Sequence, residues 1–216
     1  MYIFASGAAH MARKTKEEAL ATRSSILDAA ERLFQSRGVA GTSLQDIALA
    51  AGVTRGAVYW HFKDKGDLFN AMMSRVCLPM EESAARALPA EGNAPLAVLR
   101  GHLFGILQRV ASDAQVQRVF QIATQKVEYV DETAAVRDRH LHMRRDHLKV
   151  LERLLRAGQK HGEIVPAPSA RQLAIGLHAL LDGLIQNWML DPAAFSLRTV
   201  GGRALEVHLA GLAPGS

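Results

Sequence analysis

Arg55, Tyr59, Trp60 and His61 lie close together in the run TSLQDIALAAGVTRGAVYWHFKDK, Thr42 to Lys65. They offer a guanidinium, a phenol hydroxyl, an indole N–H and an imidazole, with no carboxylate among them. Donors of this kind suit hydrogen bonding to acceptors on nucleic acid. The Arg55 fork matches the O6 and N7 acceptors of guanine. Gly56 beside it would let a duplex backbone come close, and Ala57 suits a thymine methyl group. Ser43 and Thr54 stand at helix starts, where hydroxyls and free amides favour an anion such as phosphate.

These side chains need two short helices to present them. Ser43 and Asp46, three residues apart, form a capping-box signal ahead of Leu44, Ile47, Ala48 and Ala51. Gly52 can take the positive φ that stops the first helix. Thr54 can cap a second helix, Arg55 to His61, with Val58 and Phe62 as its core marks. Asp64 caps a further helix. Two helices joined by a short turn with glycine form the helix-turn-helix pattern, whose second helix enters the major groove.

Charge agrees with this reading without proving it. The chain of 216 residues carries +5 overall. Between Met11 and Lys65 there are nine basic residues against six acidic ones, so +3 of that total lies in the segment with the motif. A hydrophobic fraction of 49% with 22% charged residues is that of an ordinary globular protein. No run of about 18 uninterrupted apolar residues is present, so no membrane partner is expected. A single cysteine, Cys77, excludes an internal disulfide and fits a reducing cytoplasm.

Catalytic chemistry finds no support. There is no GxSxG, no phosphate-cradling glycine loop and no HExxH. Cys77 has no motif around it. Asp138, His142 and Asp146 share one helix face at metal-ligand spacing. Their neighbours Arg137, Arg139, Arg144 and Arg145 mark a solvated face instead, and no metal or other cofactor is expected.

The remaining pattern is helical. Residues 1–12 read as a disordered extension, and 11–25 as a solvated arm. Ile26, Leu27, Ala30, Leu33 and Phe34 mark a first helix ending at Arg37-Gly38, which braces the pair that follows. Leu68, Phe69, Met72, Val76 and Met80 mark a long helix that Pro79 should end or kink. After a loop-like 81–95, helices are expected near 96–111, 114–129, 133–161, 169–190 and 194–212. The fold class is all-α: a three-helix head followed by a helical bundle. The penultimate helix is apolar nearly all round and the last is strongly apolar, so both suit a partner chain. Leu180, Leu184, Trp188, Leu205, Leu209 and Leu212 are the candidate homodimer contacts, because a palindrome reader needs two heads.

The stretch ILDAAERLFQSRGVAGTSLQDIALAAGVTRGAVYWHFKDKGDLF resembles the N-terminal domain of TetR-family transcriptional repressors. MARKTKEEA, KVEYVDE and LLDGLIQNWML look like its AcrR/TtgR branch, which controls multidrug efflux operons. The likeness is dense over 11–80 and thin beyond. It implies a nine-helix homodimer with a DNA-binding domain over 20–80, the helix-turn-helix proper at about 43–62, and a ligand-binding and dimerisation domain over 81–216. In the family the tyrosine and histidine of the motif, here Tyr59 and His61, face phosphates, and Lys65 resembles a phosphate-binding lysine. The bundle would hold a hydrophobic small-molecule effector whose binding moves the fourth helix and releases double-stranded operator DNA. Position along the family layout names Val76, Cys77, Met80, Ile106, Phe120, Thr124, His178 and Asp182 as cavity residues. Asp182 places a carboxylate in an apolar helix, where it must meet a cationic ligand or an internal hydrogen-bond network. Competing readings are a regulator that answers a metabolite or protein partner, and a ligand-sequestering helical protein that no longer reads DNA.

Overall fold

The structure is a computed structural model that describes residues 5–86, 94–127 and 134–215, with side chains over 15–79, 94–127 and 137–215. Nine α-helices and no strand occur among the described residues: α1 (Ala5–Arg37), α2 (Leu44–Ala51), α3 (Arg55–His61), α4 (Lys65–Arg86), α5 (Pro95–Ser112), α6 (Ala114–Gln125), α7 (Ala134–Lys160), α8 (Ala170–Leu190) and α9 (Gly202–Ala210). One π-helical turn, Leu197–Gly201, leads into α9.

In the head, α1 packs against α2, α3 and α4. Its stripe Ile26, Leu27, Ala30 and Phe34 is buried with Ile47, Val58 and Phe62. Gly38 ends α1 with φ +78, where a side chain would be strained. In the bundle α7 is central and packs on α4, α5 and α8. By length and composition α8 alone among the described helices is apolar enough to cross a membrane. Its stripe of Leu173, Leu177, Leu181, Ile185 and Met189 is buried inside the bundle.

Three expectations are corrected. The first helix reaches back to Ala5, through residues expected to be an extension and an arm. Ala, Lys, Glu and Arg dominate there, and all are strong helix formers. Pro79 does not end α4, which runs on to Arg86. Pro79 is exposed, so its ring meets solvent and the helix loses one backbone bond while Met72, Met73, Val76 and Cys77 hold its other face. Leu205, Leu209 and Leu212 are not available to a partner chain, because they are buried in the protomer's own core. A β-carbon on Gly202 would come within 3.1 Å of the Phe104 ring and one on Gly201 within 3.2 Å of Leu107. These two glycines let α9 settle against α5, and that approach draws the leucine stripe inward. Residues 1–4 and the Met80 side chain lie outside the described residues.

Candidate nucleic-acid interface and effector cavity

The helix pair is fixed by local caps. Ser43 Oγ accepts from Asp46 N at 3.1 Å, and Asp46 Oδ2 accepts from Ser43 N at 3.0 Å. The Ser43 hydroxyl and amide hold the Asp46 carboxyl below the usual carboxylate range. Gly52 takes φ 68 at the turn. Thr54 Oγ1 accepts from Ala57 N at 3.1 Å, and α3 begins there. Asp64 Oδ1 accepts from Asp67 N at 2.8 Å and starts α4 in the same way.

With Val58 and Phe62 buried, the other side of α3 faces outward. Ser43, Thr54, Arg55, Gly56, Tyr59 and Trp60 are exposed, while Ala57, His61 and Lys65 are half-buried. Trp60 is 74% exposed and packs edge-on against His61. A β-carbon on Gly56 would meet nothing nearer than Thr54 Oγ1 at 3.9 Å, so internal packing does not demand glycine there. Arg55 Nη2 donates to the Tyr59 hydroxyl at 3.1 Å. The Arg23 guanidinium sits 5.0 Å over the Phe62 ring, and burial, with some help from Arg23, keeps His61 below the ordinary histidine pKa. Lys65 Nζ donates to Thr42 O at 3.1 Å and to Ala40 O at 3.4 Å, which ties α4 to the loop before α2.

A cavity of about 820 Å³ lies among α4, α5, α6, α7 and α8. That is within the ordinary range for small-molecule sites. Of the expected residues, Cys77, Ile106, Phe120, His178 and Asp182 line it. Val76 is core instead, and Thr124 turns its hydroxyl to Phe120 O at 2.8 Å. Asp182 Oδ2 accepts from Gln186 Nε2 at 2.6 Å. The cavity also carries a chain of three imidazoles: His102 Nε2 is 3.2 Å from His147 Nε2, and His147 Nδ1 is 3.1 Å from His178 Nδ1. Burial, with repulsion from its two neighbours, pushes His147 down to about 3. Burial also lowers His102 and His178, although Asp182 pulls His178 back up.

Two family descriptions match the chain. Residues 26–72 match the bacterial regulatory proteins of the tetR family, and 94–210 match the C-terminal region of MAATS-type transcriptional repressors. The repressor BepR of Brucella suis biovar 1 (strain 1330) is 38% identical over 93% of this chain and 96% of its own length. This chain is a TetR-family transcriptional repressor. Among solved structures, NalD, described as the secondary repressor of the MexAB-OprM multidrug efflux pump in Pseudomonas aeruginosa, superposes with TM-score 0.83 at 34% identity. That match covers 93% of this chain and all of the other. A complex of SmeT with triclosan gives TM-score 0.83 at 32% identity over 91% of this chain and 93% of the other.

In this repressor the head and the cavity meet through α6. On its outer side Arg118 Nε donates to Glu31 Oε1 of α1 at 2.7 Å, and Gln115 Nε2 donates to Glu31 Oε2 at 3.1 Å. Val39 N, just past α1, donates to Lys126 O at the end of α6 at 3.0 Å. Phe120, two residues on from Arg118 and so on the far side of the helix, lines the cavity. A second ion pair, Arg75 with Asp28, joins α4 to α1. Sequence reasoning missed Glu31, Arg118, His102 and His147. For the histidines a signal existed: His102 lies at i+3 from Leu99 and i−4 from Ile106, and His147 at i−4 from Leu151. Imidazoles at apolar-stripe positions belong inside a bundle.

Proposed function

We propose that this repressor holds a multidrug efflux operon, and its own gene, closed by binding a palindromic operator, and that a hydrophobic small molecule in the bundle cavity releases it. The outward row Arg55, Gly56, Tyr59 and Trp60 on α3, with Thr54 at its cap and the half-buried His61 at its end, carries the DNA half of the reading. Arg55 supplies base recognition, and Ser43, Thr54, Tyr59 and His61 contact phosphate. The cavity, with Cys77, Ile106, Phe120, His178 and Asp182 on its wall, supports the effector half. NalD and SmeT, both described as repressors of multidrug efflux pumps, support the choice of operon. Triclosan bound to SmeT supports an apolar effector.

Two heads require a homodimer. On α8 Gly176 and Gly183 leave open space beside the backbone, with Leu180 between them. Leu190 at 74% and Val207 at 75% are the most exposed aliphatic side chains of α8 and α9. This face, with Leu184 and Trp188 at its edge, is the dimer interface in this reading. The decisive experiment footprints the protein on the DNA upstream of its gene, then adds lipophilic cations and phenols. Protection that these compounds abolish is the expected result. Protection that none of them disturbs sinks the effector half alone, and absence of protection sinks both.

A further inference from the structure

We propose that the His102–His147–His178 chain is the polar recognition element of the cavity, and that it selects apolar effectors bearing one uncharged hydroxyl over permanently charged cations of the same shape. The inference rests on the effector reading above. It begins with proton counting. A neutral imidazole has one N–H and one lone pair. His147 is bonded through both nitrogens, Nε2 to His102 and Nδ1 to His178, so it donates to one neighbour and accepts from the other. The chain then runs in one of two senses. In the first, His102 keeps an N–H at Nδ1 and His178 presents a lone pair at Nε2. In the second, every ring changes tautomer and the ends exchange roles.

Both end residues line the cavity. Each end of the chain therefore offers a donor or an acceptor without adding a net charge of its own, while elsewhere the wall sets Arg144, Lys149, Arg153 and Arg156 against Asp146, Glu152 and Asp182 and carries no excess of carboxylates to draw a cation. A hydroxyl can donate and accept, so it satisfies either sense. A quaternary ammonium can do neither, and it would leave buried polar nitrogens without a partner, at a real cost. The same connectivity argues against a metal ion. The two contacts use opposite nitrogens of His147, so the three rings cannot converge on one centre. Burial disfavours the charged form of all three rings, most strongly at His147, which it pushes down to about 3. The apolar neighbours Ile106 and Phe120 supply the surface for the rest of such a ligand.

The test uses the full-length protein and three probes on one scaffold: para-phenylphenol, biphenyl and biphenyl trimethylammonium. Binding is read by calorimetry and release by anisotropy of labelled operator. The phenol is expected to bind roughly tenfold or more tighter than either analogue. In His147→Leu that preference should fall to within about twofold, with biphenyl affinity and operator affinity retained. His178→Phe, which alters only one end, should lose the preference as well and covers the case in which His147→Leu does not fold. Equal binding of phenol and biphenyl by the wild type, or a preference that survives in both variants, overturns the proposal. Binding of none of the probes overturns it too. If phenol and biphenyl bind and release operator equally, the chain's role falls while the effector reading stands. If the preference holds but no probe releases operator, the chain's role stands and the effector reading falls.

Discussion

Arg55 is held back by its own helix. Its Nη2 donates to the Tyr59 hydroxyl one turn along, and its guanidinium lies 5.4 Å from that ring's centre. An exposed contact of this type is worth about 0.5–1 kcal/mol, whereas a bidentate guanine contact is worth about 1–3 kcal/mol in discrimination. DNA should therefore win the guanidinium. Arg55→Ala is expected to cost about 1–3 kcal/mol per half-site and to erase the preference for operator over scrambled duplex, read by fluorescence anisotropy. Undiminished discrimination would remove Arg55 from base readout. Lys65 gives the opposite case. With Thr42 O and Ala40 O as its partners, it is expected to act as a tether. Lys65→Met should lower stability by about 1–2 kcal/mol. The slope of operator affinity against log salt should stay the same; a slope reduced by about one per subunit would instead mark a phosphate contact. These residues also show what sequence can reach. Ser43 and Thr54 accept from amides three residues on and Gly52 ends its helix through its own positive φ, so their roles could be read from spacing. The carbonyls that hold Lys65 lie more than twenty residues away in the chain, and no local pattern records them.

At the scale of elements, helices announced themselves wherever a stripe or a cap set them. The segment Arg55–His61 is helical as expected. Deviations occurred away from the apolar stripes: at Ala5, to which a run rich in strong helix formers carries α1 back, and at Pro79, where one lost bond was outweighed by a packed face. Which face of α9 turns inward was also illegible, because it depends on the fit of Gly201 and Gly202 against α5. The consequential element is α6, which has the cavity on one side and α1 on the other. The Glu31 side chain is only 5% exposed and Arg118 is 41% exposed, so the pair is worth more than a surface bridge and less than a fully buried one. Arg118→Met is expected to lower stability by about 1–3 kcal/mol, checked by urea unfolding. Coupling should suffer more than either binding event. Effector affinity should be retained, while the effector concentration needed for half-release of operator rises several-fold. Half-release that simply tracks effector affinity in the variant would show that α6 does not carry the signal through Glu31.

The whole molecule should also record its buried histidines as a dependence of stability on pH. An unfolded histidine titrates near 6.5, whereas His147 is pushed down to about 3 and His102 and His178 are lowered as well, all chiefly by burial. Between those limits the unfolded chain binds protons that the folded chain refuses. The sign follows: the folded state has its full stability above about pH 6.5 and loses it as pH falls, with a limiting slope of roughly 1.4 kcal/mol per pH unit for each proton refused. For His147 the window runs from about 6.5 down to about 3. Carboxylates also titrate toward the lower end, so the informative quantity is the difference between wild type and His147→Leu. At pH 7.5 the variant should be the less stable of the two, because His102 and His178 lose their shared partner. Toward pH 5 the gap should shrink by about 1 kcal/mol per pH unit, since the variant no longer holds the group that refuses its proton. Urea unfolding at pH 7.5, 6.5, 5.5 and 5.0, values set on the order of the unperturbed histidine pKa, measures this directly. A gap that stays constant across the series would mean that His147 takes up its proton as readily in the folded chain as in the unfolded one, so that burial does not keep it neutral below pH 6.5.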